Sequence, residues 1–345
     1  FPEGGLDAWL VVLGSYANAF GNTNSEHADY YTREYMTNYS TSEIGWIGGI
    51  QFCLIFSSAI VTGRLFDRGY LCIVASRDTS HVLTMFFWPV FMLSLTQKNQ
   101  YYQVFLSQGV GVGLSCGLTY VPTLSVVSHY FQRRRALAMG CVSAGSALGA
   151  VLHPIILNKL FNNPSIGFHN GVRIDGGINT FLFLISVCLT KTRLPPKKNL
   201  KPIPFVRFLK EPAYALVCLG TALCFFGLFY PIFYLQLNAV SHGVDESLAF
   251  YALSVLNAAS LFGRVTPMFY THRLGVFNLL AFFNIALGVV ACTMSVVHNL
   301  AGTMIFAVFY GFTNGGVIIT FLPALLAHDQ SEIGVRMGIC FFFSG

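Results

Sequence analysis

The chain has very little charge. Of its 345 residues only 10% are Asp, Glu, Lys or Arg, against about a quarter in an ordinary soluble domain. That shortage leaves no room for a sizeable water-facing domain, and the longest polar stretch runs only from Thr190 to Pro212. Catalytic signatures are missing as well. There is no G-x-S-x-G, no H-E-x-x-H, and no His, Cys and carboxylate cluster at metal-ligand spacing. The glycine-rich stretches lack the lysine of a phosphate loop. None of the nine cysteines forms a C-x-x-C pair, so they read as small buried apolar residues. These absences argue against an enzyme, a cofactor and a metal centre. The net charge of +6 sits in loops and gives no sign of a nucleic-acid partner. The chain opens on Phe1 rather than Met, which reads as a shortened N-terminus, and no cleavable signal peptide is visible.

What is abundant is apolar surface: 54% of residues are hydrophobic and the mean hydropathy is +0.61. A hydrocarbon layer about 30 Å thick needs roughly 20 apolar residues per helical span, and the sequence offers such stretches repeatedly. The expected spans are 8–25, 44–66, 81–96, 101–128, 136–160, 174–190, 213–237, 247–270, 275–297, 300–326 and 333–345. The implied class is an all-α, multi-pass membrane protein whose first partner is the lipid bilayer.

Orientation follows from the basic residues. With the N-terminus in the cytoplasm, only Arg33, Lys98, Lys159 and Arg173 of the 20 Lys and Arg residues face outward, as the positive-inside rule requires. Thr190–Pro212, with Pro195, Pro196, Pro202 and Pro204, is then a basic cytoplasmic linker. Asn38-Tyr39-Ser40 is a glycosylation sequon on the outer side. The pieces flanking the linker match at an offset near 200: Asp67-Arg68 with His272-Arg273, Pro122 with Pro323, Met139-Gly140 with Met337-Gly338. Two six-helix halves repeated in parallel are the expectation: 1–190, the linker 191–212, and 213–345 truncated in or after helix 11, with a twelfth span beyond Gly345. Such repeats place a substrate between rocking halves near the bilayer midplane.

Several motifs strengthen this. Glu3-Gly4-Gly5-Leu6-Asp7-Ala8-Trp9 opens the first helix. Gly63-Arg64-Leu65-Phe66-Asp67-Arg68-Gly69 follows the second. Tyr130-Phe131-Gln132-Arg133-Arg134-Arg135-Ala136-Leu137-Ala138-Met139-Gly140, then Ser143 to Gly149, opens the fifth. Leu256 to Arg264 lies in the eighth. Together they resemble the fungal, monocarboxylate-transporter-like branch of the major facilitator superfamily. The resemblance implies a proton-coupled carrier of a small organic anion, in the plasma membrane or else a vacuolar or other internal membrane. It also departs from that pattern. Helix one has no lysine, Ser260 stands where proton-coupled mammalian members carry an aspartate, and His272 replaces an acid. Arg77-Asp78 interrupts helix three, and Asp175 opens helix six. No clear intramembrane acid is on hand to carry protons.

Arg264 is the sharpest individual candidate. It lies nine residues before Arg273, about 13 Å deeper along a helix, where an ionised group normally faces a cavity or a partner. Its planar fork suits a carboxylate. Asn257 and Ser260 share its helical face and would orient the solute. Asn22, Tyr120, Tyr234 and Asn314 are further cavity candidates. Asp67 and Arg68 read as a cytoplasmic latch, with Arg134, Arg135 and Arg273 as inner-gate residues; His153 reads as structural. Gly109, Gly113, Gly117, Gly145 and Gly149 suit close helix packing. The reading is a rocker-switch carrier of a small organic anion, with protons as a further partner. A carrier of a vitamin or other metabolite, or a non-transporting sensor or defective fragment, stays open beside it.

Overall fold

The computed structural model describes residues 4–22, 30–67, 88–132, 134–191, 193, 205–317, 326 and 332–344. Every regular element among them is a helix. In order they are α1 (Leu6–Gly21), α2 (Thr41–Asp67), α3 (88–93), α4 (Tyr101–Val127), α5 (Arg135–Phe161), α6 (Gly167–Leu189), α7 (Pro212–Ser241), α8 (Glu246–Leu274), α9 (Val276–Cys292), α10 (Leu300–Val317) and α11 (Ile333–Ser344). Eight of these are long and apolar enough to cross a membrane. A short helix, Phe205–Leu209, precedes α7.

Helix ends follow local chemistry. Ser40 caps α2 in a reciprocal box: the Glu43 carboxylate accepts from Ser40 N at 2.8 Å, and Ser40 Oγ accepts from Glu43 N at 3.3 Å. The sequon's serine is therefore committed to a helix cap. Pro212 stands in the first turn of α7, where its missing N–H costs nothing. Tyr31–Tyr35 is a single π turn, and Phe105–Val112 widens α4 in the same way. Neither was expected from periodicity.

The expected spans hold with adjustments. α1 ends at Gly21, not at residue 25. α6 begins at Gly167, seven residues before its expected start, because Gly-Phe-His-Asn-Gly-Val-Arg is helical although polar. Asp175 therefore does not open the helix; it sits in its third turn. α7 and α8 each run four residues further, to Ser241 and Leu274. Residues 81–87 and 318–325, and the Arg77-Asp78 interruption, lie outside the described residues.

Helices α1, α2, α4, α5 and α6 pack on one another, as do α7 to α11. Small residues permit the approach: Gly14 of α1 lies against Ser186 and Thr190, and Gly21 against Asn179, so α1 and α6 run antiparallel. Large apolar side chains point outward, Phe226 at 94% exposure and Ile285 at 70%, which is sensible only if lipid is the surroundings. Arg134, Arg135, Lys191, Arg207, Lys210 and Arg273 cluster at the helix ends of one side, called here the basic face.

Two helix pairs form the seam between the groups, α2 with α11 and α5 with α8. The contacts lie toward the basic face. A Cβ at Gly63 would collide with Gly334 O, and one at Gly338 would lie 2.4 Å from Ala59 O. Above them Phe56 meets Phe225 at 5.3 Å and Phe341 at 5.7 Å, and Phe52 meets Phe229 at 4.9 Å. Near the opposite face, Gly45, Gly48 and Gly49 of α2 have open space beside them and Trp46 is 67% exposed.

Candidate functional site

Arg264 stands at the seam. Its helix, α8, brings the guanidinium against α5, where Nη1 donates to Ser143 O at 2.6 Å and to Ser146 Oγ. Nε donates to Ser260 Oγ at 3.3 Å. Three bonds leave Nη2 without a hydrogen-bond partner among the described residues, and no carboxylate lies within ion-pair distance. Tyr120 of α4 is within electrostatic reach of the charge, and its ring rests on Phe341. One turn up the seam, Asn257 Nδ2 donates to Ala150 O at 3.4 Å. One turn down, Gly140 sits against Met268 and Arg264 O. A cation is thus held in place by neutral oxygens, with its charge uncompensated by protein.

Of the candidates named from sequence, Arg264, Asn257, Ser260 and Tyr120 come together here. Ser260 is fully buried against the backbone of Gly315, so its hydroxyl holds the arginine rather than facing open space. Asn314, on α10, is buried and its Oδ1 has no hydrogen-bond partner among the described residues. Asn22 lies elsewhere: it bonds Asn18 at 2.9 Å and Thr119 at 3.2 Å, and lines a narrow crevice between α1 and α6. Tyr234 is set apart from all of them. It is 48% exposed and packs on Tyr230 at 5.0 Å along the outer stripe of α7. That placement corrects its reading as a cavity residue; on a helix apolar all round, a lone tyrosine gives no sign of which way it points. Of the gating set, Arg134 and Arg273 are exposed at helix ends, and Arg135 Nε donates to Phe131 O at 3.4 Å. The Asp67 side chain, Arg68 and His272 lie outside the described side chains.

Two clusters escaped sequence reasoning. Arg336 is 1% exposed, although its helix begins only three residues earlier. It donates to both Glu211 oxygens at 2.7 and 3.0 Å and to Glu332 at 3.2 Å, and it stacks on Phe208 at 4.3 Å. The Glu332 and Arg336 spacing of four was a legible half of this cluster. The second is a buried carboxylate. Asp175 Oδ1 lies 2.7 Å from His153 Nδ1, and Asp175 Oδ2 accepts from Asn179 Nδ2 at 3.0 Å. Each residue stands eight positions from the α5–α6 turn, which puts them at equal depth. That symmetry could have been read from the sequence had α6 been started at Gly167.

Outside the spans, His129 follows α4 at the basic face. Burial, with Arg135 and Arg193 nearby, pushes its imidazole down to about 4.

The model of the family described as Major Facilitator Superfamily matches residues 8–345. The chain is 40% identical to the aspyridones efflux protein apdF of Emericella nidulans, over 98% of this chain and 69% of that protein. It is 36% identical to MFS-type transporter 1 of an Ophiocordyceps species (99% and 76%) and 35% identical to the agnestins efflux protein AgnL12 of Paecilomyces divaricatus (97% and 77%). Among solved structures, a bacterial homologue of the iron transporter ferroportin in an outward-facing state superposes with a TM-score of 0.68 at 14% identity, over 98% of this chain and 89% of that one.

Proposed function

The chain belongs to the Major Facilitator Superfamily, and from that premise we propose that it is a secondary active exporter of a small organic anion, working by alternating access. It is a multi-pass membrane transporter and not an enzyme; solute, direction and coupling are our reading. The observation that carries the anionic solute is the open Nη2 of Arg264, a guanidinium within a span with no carboxylate beside it. An ionised side chain is costly there, and an incoming carboxylate compensates it through two parallel N–H donors. A monocarboxylate is the simplest solute of this kind. Export is supported by the names of two relatives, both efflux proteins. The distribution of basic residues supports a cytoplasmic basic face, and with it a cytoplasmic N-terminus and linker. Two six-helix halves, 1–190 and the one begun at 213, and a plasma-membrane location complete the proposal.

The mechanism follows from the seam. The closed ends at the basic face and the open space beside α2 at the other describe one of two alternating states. Arg264 bonds α5 across that seam, so an anion that takes the guanidinium competes with Ser143 O and Ser146 Oγ. Solute binding thereby changes the contact that holds the groups together, which is the differential interaction a population shift requires.

The test is counterflow in proteoliposomes, with a panel of labelled mono- and dicarboxylates and neutral analogues of matching shape. Anions are expected to exchange faster than in protein-free liposomes, and the neutral analogues are not. Equal exchange of the neutral analogues would remove the anion assignment.

A further inference from the structure

We propose that His153, Asp175 and Asn179 form a protonation site through which a proton gradient drives this carrier. The inference rests on the reading above that the chain is a secondary carrier, and it names the coupling ion.

Three observations carry it. First, the site is an ionisable pair inside membrane-spanning helices: His153 is 1% exposed, Asp175 2% and Asn179 2%. Such groups are rare within spans and serve as proton relays or ion sites. Second, its polar valences are not all met. His153 Nε2 and Asn179 Oδ1 have no hydrogen-bond partner among the described residues, so one acceptor or donor position on each side of the pair stays open. Third, it is placed to communicate. Asn179 lines the crevice that also holds Asn18 and Asn22 of α1, and the His153 ring packs on Phe20 at 5.1 Å. Along α5, His153 is seven residues from Ser146, about 10 Å, and Ser146 holds Arg264. Ala150, which receives Asn257 of α8, lies between them.

The chemistry is proton binding alone. With His153 neutral and Asp175 ionised, the site carries one negative charge, held by the imidazole N–H and the Asn179 amide. One proton taken up on the pair brings it to zero net charge, the cheaper state in a low-dielectric interior; one proton released restores the charge. No other bond forms or breaks. The other titratable groups on the surrounding elements are few. Toward the face opposite the basic one stand Lys159, exposed on α5, and His169 and Arg173 of α6, engaged by Ser94 O at 2.9 Å and Ser94 Oγ at 3.3 Å. Cys116 of α4 lies against Asn22 O, and Tyr16 of α1 lies beside Gly145. α3 presents Val90 and Phe91 to Gly176.

The decisive measurement is an infrared pH titration of the full chain in liposomes. The expected result is a protonated-carboxyl band that appears on acidification, shifts in heavy water, and is absent in Asp175→Asn. His153→Gln is expected to move its midpoint by more than one pH unit, a readout that a merely structural pair would not give. A wild-type titration with no such band, or a band unchanged in Asp175→Asn, overturns the proposal whatever transport shows. A second arm uses an aromatic monosulfonate, anionic at every pH employed, so that any coupled proton belongs to the protein. Where it exchanges, Asp175→Asn is expected to lose at least tenfold of the acceleration given by a pH gradient while keeping gradient-free counterflow. Retained acceleration in a folded Asp175→Asn overturns the proposal and leaves the carrier reading intact. Loss of all counterflow in wild type, with the band present, tells against the anion reading alone.

Discussion

Arg264 and Arg336 are both withdrawn from water, yet their surroundings are opposite. Arg336 is clamped by two glutamates and two aromatic faces, all within the second group of helices or the segment leading into it. Arg264 crosses between the groups, meets only a carbonyl and two hydroxyls, and keeps Nη2 open. An arginine whose charge is balanced by protein is fixed in place and has nothing left to offer. One whose charge is held but not balanced is a standing invitation to an anion. The difference separates an anchoring role from a binding one without reference to any substrate.

That contrast can be broken in several ways. The largest effect is expected from Arg264→Ala: counterflow of any accepted anion falls about a hundredfold, in line with loss of a bidentate charged contact, while the thermal midpoint holds or rises, since an unbalanced cation has been removed. Arg336→Ala should do the reverse. It strands Glu211 and Glu332, and thermal unfolding in detergent should show roughly 3 kcal/mol of lost stability, the low end for a broken buried pair, because Glu211 keeps 34% of its side-chain surface exposed. Next comes Arg264→Lys, which keeps the charge and loses the fork; counterflow should fall about tenfold. A lysine equal to wild type would show that only charge matters.

A smaller effect is expected at His129, which, unlike either arginine, can answer burial by shedding its proton. Its folded value, about 4, lies below the unfolded value near 6.5. The folded state then binds fewer protons between these values, so stability is full above 6.5 and declines as pH falls toward 4. His129→Gln should flatten that part of the thermal midpoint's pH profile. An unchanged profile would place the acid sensitivity elsewhere.

Most of the fold was legible because the membrane sets so coarse a rule: long apolar stretches between polar turns. Arg264 was legible for the same reason, as a charge where none is expected. The rest depended on juxtaposition. The partners of Arg264 on α5, Ser143 and Ser146, are ordinary small residues until the helices cross. Arg336 looked like one more basic residue near a helix end because Glu211 is 125 positions away in sequence. Asp175 was misplaced by a single boundary: seven polar residues hid the first two turns of α6, and with them the depth at which the carboxylate meets His153.

The seam described above has a mechanical consequence. Where α2 crosses α11, the facing atoms at Gly63 with Gly334 and at Gly338 with Ala59 are main chain, not interlocked side chains. Two nearly flush surfaces of this kind can slide or lift apart without any rotamer having to change first. Adding volume there should act as a wedge: Gly338→Val is expected to favour the arrangement open at the basic face, with cysteine labelling at position 59 rising from that side. The resistance to swinging would then reside in a few polar ties such as those of Arg264, which a passenger molecule can loosen, rather than in a broad interdigitated core that none could reach.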